Sequence, residues 1–123
     1  VPASIGSLTA LTTLSLPNNR ITTLPTTIGG MSALMTLHLS SNQLVGLPDA
    51  IGQLTGLKEL SLRRNKLTAL PESIVALTNL TTLYLKHNPP FVRSAAVQAW
   101  LQAHEESSTC SFSDWTSQVP PDW

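Results

Sequence analysis

The sequence is poor in charged residues and in cysteine, and each shortage narrows the classes of function that it fits. Charged residues form 11% of the chain and their net charge is zero, whereas an average globular domain has roughly 25%. A neutral chain lacks the strong field that attracts nucleic acid or an anionic membrane, so neither is expected as an obligatory partner. The single cysteine, Cys110, excludes an intrachain disulfide and favours a reducing compartment.

Long apolar runs are also absent. No stretch approaches the roughly 18 residues that a membrane-spanning helix needs, so no membrane span is expected. The 123 residues fit one domain. The first residue is Val1 rather than methionine, which leaves open whether a leader peptide once preceded it.

The sequence does contain one unit that recurs with a step of 23 residues. We number its four copies as residues 1–23, 24–46, 47–69 and 70–92. A proline column comprises Pro2, Pro25, Pro48 and Pro71, and an isoleucine column comprises Ile5, Ile28, Ile51 and Ile74. Leucine columns include Leu14, Leu37, Leu60 and Leu83, and also Leu16, Leu39, Leu62 and Leu85. So many columns in phase over four copies do not arise by chance, and they predict a repeat architecture.

The repeated pattern predicts that strands alternate with short helical segments. The alternation Leu60-Ser-Leu62 is typical of a strand with one buried face. Between residues 70 and 77 the apolar residues are spaced by three and four, which favours a short helical or 3₁₀ segment with Pro71 at its first position. One copy cannot enclose a core alone. Stacked copies can, with parallel strands along one face and short helices along the other.

An asparagine column follows the strands at Asn19, Asn42, Asn65 and Asn88. After each strand the chain must bend sharply, which leaves inward-facing backbone groups without partners in the sheet. An asparagine amide donates and accepts, so the column predicts a ladder of hydrogen bonds that satisfies these groups.

Together these columns read LxxLxLxxNxLxxLPxxIxxLxx over residues 1 to about 90, which resembles the leucine-rich-repeat family. The length of 23 residues and the LPxxI element resemble the intracellular Ras-associated class, and the G-x-I-P element of the extracellular plant class is absent. The resemblance implies an α/β solenoid: a right-handed arc with a parallel concave sheet, short convex helical or 3₁₀ segments and a C-terminal capping helix. It also implies an intracellular, protein-binding role, although fold alone does not fix function.

The sequence predicts an open N-terminal end of the solenoid and a capped C-terminal end. Residues 1–90 are expected to form the solenoid with an uncapped N-terminal end, which implies further repeats in a longer protein or self-association at that end. Residues 91–123 are expected to form a C-terminal cap, with a helix over about 95–106 that Ser94 begins, followed by a tail containing Trp115 and Trp123. The segment NPPFVRSAAVQAWL resembles the capping helix of leucine-rich repeats. The tail either covers the last copy or acts as a docking motif.

Side chains that alternate outward from the strands are free to bind a partner, and they differ between the copies. The first two copies are bland, whereas the last two carry Arg and Tyr, which are favoured at binding hot spots. The predicted partner-binding residues are His38, Glu59, Ser61, Arg63, Arg64, Tyr84, Lys86 and His87. Three readings stay open: an acidic peptide or protein patch binds here, the face is merely solvated, or it takes phosphate or nucleic acid.

No residue pattern predicts catalysis, a metal or a cofactor. His38 and His87 lie two copies apart and one column out of line, and Gly29-Gly30 lacks the Lys of a phosphate loop. The predicted function is therefore a non-enzymatic, intracellular protein-binding module within a larger scaffold, signalling or effector protein. The alternatives are a purely structural or self-associating segment, or the substrate-recognition arm of a larger enzyme.

Overall fold

The computed structural model describes the backbone of residues 1–89 and 94–105, and the side chains of residues 1–89 and 94–100. Short strands alternate with 3₁₀ helices, and one α-helix follows. The strands are β1 (Thr13–Ser15), β2 (Thr36–His38), β3 (Glu59–Ser61) and β4 (Thr82–Tyr84), and the α-helix is α1 (Ala95–Glu105). The first to fourth 3₁₀ helices span Ala3–Ser7, Thr26–Gly30, Asp49–Gln53 and Glu72–Ala76.

The strands form one parallel sheet in the order β1-β2-β3-β4. Each strand pairs with the next at a register of one repeat length, so that Leu37 lies between Leu14 and Leu60. Strands contact neighbouring strands and 3₁₀ helices contact neighbouring 3₁₀ helices, which makes a strand face and a helix face with the core between them. The predicted solenoid is confirmed.

The core consists of the leucine and isoleucine columns stacked along the solenoid. Leu37, Leu60 and Leu83 are each fully buried, and the sheet register places Leu37 and Leu60 between the equivalent leucines of the two neighbouring strands. The first copy is less buried: Leu8 is 45% exposed, whereas Met31, one repeat later, is 0% exposed. The difference arises because the first copy has a neighbour on only one side among the described residues.

The prolines lie one position earlier than the sequence predicts. Pro71 has extended backbone angles, φ −69° and ψ 149°, and the fourth 3₁₀ helix begins at the next residue. Its carbonyl accepts a hydrogen bond from the Ile74 N–H at 3.1 Å, so the proline is the residue that flanks the helix rather than its first member. A rigid, extended residue here directs the chain from the strand face to the helix face.

The asparagine column connects each copy to the one before it. The Asn65 amide donates to the carbonyls of Leu39 and Leu62 at 2.9 and 3.0 Å, and its Oδ1 accepts from the Leu44 N–H at 3.1 Å. Asn42 and Asn88 make the equivalent bonds. The amide of Asn19, in the first copy, is exposed and donates only to carbonyls of its own copy.

Helix α1 packs against the fourth 3₁₀ helix. The Ser94 hydroxyl accepts a hydrogen bond from the Val97 N–H at 3.2 Å, which is the bond of a helix N-cap. Val97 and Trp100 are buried in the core. The predicted tail, residues 106–123, lies outside the described residues.

The two glycines 46 and 52 give a matched test of packing on the helix face. A Cβ on Gly52 would lie 2.6 Å from the Ser73 carbonyl oxygen, whereas a Cβ on Gly46 would meet nothing within 4 Å. We expect Gly52→Ala to lower the free energy of unfolding by about 1–3 kcal/mol because two copies must separate. Gly46→Ala should raise it by about 0.4–1 kcal/mol because the unfolded chain loses entropy. Urea denaturation of both variants checks this, and equal effects would contradict the packing described.

The asparagine column offers a second matched pair. Asn65→Ala leaves buried carbonyls and a buried N–H without partners, so we expect it to lower the free energy of unfolding by about 3 kcal/mol. Asn19→Ala removes only exposed bonds and should cost under about 1 kcal/mol. Thermal and urea unfolding of the two variants measure the difference, and an equal loss would show that the ladder is not what holds adjacent copies together.

Candidate functional site

A shallow groove of about 370 Å³ runs across the strand face. It is lined by Ser15, Pro17, His38, Ser40, Glu59, Ser61, Arg63 and Tyr84. All eight belong to positions that point away from the core, because Leu14, Leu37, Leu60 and Leu83 take the inward positions of the strands. The repeat thus fixes the floor of the groove, and the outward residues determine its chemistry.

One row of side chains crosses the middle of the groove. The sheet register pairs Ser61 with His38 on one side and with Tyr84 on the other. Ser61 is 6% exposed, and its hydroxyl lies 2.6 Å from the Ser40 hydroxyl. The bottom of the groove is therefore polar and hydrogen-bonded, with an imidazole and a phenol ring beside it.

The imidazole of His38 and the carboxylate of Glu59 form a pair within the groove. His38 Nε2 hydrogen-bonds to Glu59 Oε2, and the two side chains are 36% and 34% exposed. The pair is diagonal, since the sheet register places His38 opposite Ser61 rather than Glu59. Among the described residues, Glu59 is the only carboxylate that lines the groove, and its charge is directed at His38.

The guanidinium of Arg63 is the cation of the groove. Arg63 is half-buried and lies two residues after the end of β3. Its side chain has no hydrogen bond or ion pair with residues 1–89 or 94–100. A guanidinium that is partly removed from water and lacks a carboxylate binds an incoming anion more strongly than an exposed one does.

The structure brings five of the eight predicted partner-binding residues together and places the other three beyond the groove. His38, Glu59, Ser61, Arg63 and Tyr84 line it. Lys86, Arg64 and His87 follow the ends of the strands and do not line it.

Three lining residues, Ser15, Pro17 and Ser40, were not predicted to bind a partner, because the outward side chains of the first two copies are mostly small and neutral. Their positions in the outward columns already located them. Their small, neutral side chains gave no chemical signal.

Arg64 and His87 occupy a left-handed backbone position that recurs after every strand. Asn18, Ser41, Arg64 and His87 have φ values of 57°, 58°, 56° and 63°. Residues other than Gly, Asn and Asp adopt this conformation at a cost of roughly 1–2 kcal/mol. The bend requires it in each copy, so Arg64 lies at this position because of the backbone rather than because the groove needs it.

Other kinds of site receive no support from the described part of the chain. Among these residues no three His, Cys, Asp or Glu side chains are grouped as a metal site would need. None of the helices in the described ranges is long and apolar enough to span a membrane.

Comparison with known proteins identifies the repeat. The sequence profile of the family described as "Leucine rich repeat" matches residues 2–44 and 32–89. Comparison with curated protein sequences gives no match.

Solved structures of several repeat proteins are similar to the chain. An LRR protein of Leptospira interrogans has 37% identity and a TM-score of 0.78 over 91% of this chain. The ectodomain of the Arabidopsis thaliana receptor kinase GASSHO1/SCHENGEN3, in complex with CASPARIAN STRIP INTEGRITY FACTOR 2, has 42% identity and a TM-score of 0.66 over 72%. The Toll–Spatzle complex of Drosophila has 33% identity and a TM-score of 0.66 over 71%.

This chain spans a minor part of each of those proteins. It covers 28% of the Leptospira chain, 11% of the Arabidopsis chain and 12% of the Drosophila chain.

The left-handed position gives a prediction for Arg64. Asn18 occupies the same position in the first copy, and asparagine tolerates this conformation better than arginine. We expect Arg64→Asn to raise the free energy of unfolding by about 0.5–1 kcal/mol. Arg64→Gln removes the same charge without relieving the backbone, so it should leave stability unchanged. Urea denaturation of both variants checks this, and a gain in the Gln variant as well would assign the effect to charge.

Proposed function

Because the chain belongs to the leucine-rich-repeat family, we propose that it is a non-enzymatic protein-binding module whose groove receives an acidic segment of another protein. The observation that carries this proposal is the half-buried guanidinium of Arg63, which lines the groove without a carboxylate partner in the described residues. Glu59, the one carboxylate that the described residues contribute to the lining, pairs with His38. A carboxylate brought by a partner supplies the missing anion.

The chemistry of the groove favours a peptide carboxylate over other anions. A guanidinium binds a carboxylate through two parallel hydrogen bonds. Tyr84 and Pro17 also line the groove and give it an aromatic ring and an apolar surface, which suit other side chains of the same peptide. A ligand with several phosphates needs more cations than the single one that residues 1–89 and 94–100 contribute to the lining.

The similar proteins support a binding role. The Arabidopsis ectodomain was solved with CASPARIAN STRIP INTEGRITY FACTOR 2, and the Drosophila structure is a complex of Toll with Spatzle. We extend from these only the general role of binding another protein, because this chain covers only 11% and 12% of those two proteins.

The size of the strand face sets the expected affinity. Four strands about 4.8 Å apart, with outward segments about 17 Å long, give a face on the order of 300 Å². A standard interface buries roughly 800 Å² per partner. Binding through this groove alone is therefore weak, and a tight complex needs additional surface or a tethered ligand.

The same proposal applies to a longer protein that contains this chain. The similar proteins are several times longer than this chain, so we propose that the module acts within a larger scaffold, signalling or effector protein, inside the cell. A second candidate is self-association through the edge of the first copy. A cavity of about 820 Å³ there is lined by apolar side chains including Val1, Ile5 and Leu14.

Selection of displayed peptides on the immobilised chain tests the groove. We expect enriched peptides to contain Asp or Glu beside an aromatic residue, and Arg63→Glu to weaken their binding by about 10- to 100-fold, because a charged hydrogen bond contributes about 1.5–3 kcal/mol. Arg20→Glu is the matched control, since Arg20 is exposed and lies outside the groove. Fluorescence anisotropy measures each affinity.

The outcomes separate the candidates. Equal losses in the two variants would mean that only net charge matters and that the groove is not the site. A chain that selects no peptide but sediments as a concentration-dependent dimer would instead support self-association at the edge of the first copy.

A further inference from the structure

The zero net charge of this chain conceals two parts of opposite charge. Residues 1–89 contain six Lys and Arg but three Asp and Glu, whereas residues 90–123 contain one Arg and four Asp and Glu. The repeats therefore carry a net charge of +3 and the remainder a net charge of −3, with histidine counted as neutral.

The positive charge of the repeats is concentrated beside the groove. Five of the six cations belong to the third and fourth copies: Lys58, Arg63, Arg64, Lys66 and Lys86. Adjacent strands lie about 4.8 Å apart, well within the Debye length of about 8 Å at physiological salt. Arg63, Arg64 and Lys86 follow β3 and β4, so their fields add at the end of the groove where Arg63 lies.

The negative charge follows helix α1 and is interleaved with tryptophan. Residues 106–123 contain Glu106, Asp114 and Asp122 and no Lys or Arg. The segment contains two Asp-Trp dipeptides, Asp114-Trp115 and Asp122-Trp123. Each presents a carboxylate next to an indole, which is the combination that an arginine beside an aromatic ring is suited to bind.

We propose that residues 106–123 are a ligand of the groove in the same chain, with the carboxylate of one Asp-Trp dipeptide on the Arg63 guanidinium and its indole beside Tyr84. This inference rests on the proposed function, because it uses the same groove and the same cation. It adds an occupant that the chain itself supplies, so an external acidic partner must displace it.

The chain geometry allows this contact. Helix α1 packs on the fourth 3₁₀ helix, so the segment begins at the end of the solenoid nearest to the cationic copies. Eighteen residues span up to about 60 Å when extended, while the four-stranded sheet is only about 15 Å wide. Either dipeptide can reach Arg63.

Tethering makes weak binding sufficient. A short tether gives an effective concentration in the millimolar range. A groove on the order of 300 Å², too small to hold a free peptide tightly, therefore needs only weak affinity for a segment of its own chain.

Paramagnetic relaxation measured by NMR tests the contact directly. The single cysteine is moved into the segment, between the two Asp-Trp dipeptides, with Cys110→Ser and Ser117→Cys, and a nitroxide is attached there in the full chain. We expect the label to attenuate the amide signals of β2, β3 and β4 more than those of the second and third 3₁₀ helices. Added salt should restore the signals, because charge attraction brings the segment to the groove.

Charge variants in the labelled chain identify the partners. Arg63→Glu, or the pair Asp114→Asn and Asp122→Asn, should restore the strand signals at least severalfold, whereas Arg20→Glu should leave the attenuation unchanged. The aspartate variants should also bind an external acidic peptide several times more tightly, because the groove is vacant.

Three outcomes would overturn the proposal. Attenuation confined to α1 and the fourth 3₁₀ helix would mean that the segment covers the end of the last copy. Attenuation that persists in Arg63→Glu would place the contact elsewhere. Attenuation that appears only between a labelled and an isotopically enriched chain would make the contact intermolecular. The NMR samples contain no external peptide, so each of these failures leaves the peptide-selection test of the proposed function intact.

Discussion

A chain that bends sharply after every strand leaves backbone carbonyls and N–H groups pointing into its own core, and each must find a hydrogen-bond partner there. In this protein the partner is a single asparagine per copy. The Asn42 amide donates to the carbonyls of Leu16 and Leu39, which belong to adjacent copies, and its Oδ1 accepts from the Ile21 N–H. One side chain thus closes the bend and holds two copies in register.

Because of this register, residues one repeat apart in the sequence are neighbours on the surface of the sheet. Since every strand pairs with the next at a shift of one repeat, an outward position in one copy always lies beside the same position in the next. The chemistry of the groove therefore depends on a few residues that break their columns. Glu59 stands where the other copies have threonine, and it pairs with His38, whose column is otherwise Ser or Tyr. Arg63 is then the charged group left to a ligand.

The period of the sequence was enough to predict the stacking of the leucines, the parallel sheet and the outward columns, because these follow from repetition alone. It was not enough for features that depend on local angles. The diagonal bond from His38 to Glu59 crosses columns, so alignment by period gives no sign of it. The left-handed backbone at Arg64 takes that side chain away from the groove, and an arginine in the sequence carries no signal for such a conformation.

The net charge of the whole chain did not predict the local charge beside the groove, because charges in water act only over short distances. A charge in water acts over about 8 Å at physiological salt, so the balance over 123 residues says little about the field at one point. The field beside the groove depends on cations in two adjacent copies, while most of the compensating carboxylates lie beyond residue 100. A neutral chain divided in this way attracts acidic segments to one place on its surface. Its own residues 106–123 are the acidic segment present at the highest local concentration, so in the proposed contact an external partner has to compete with them.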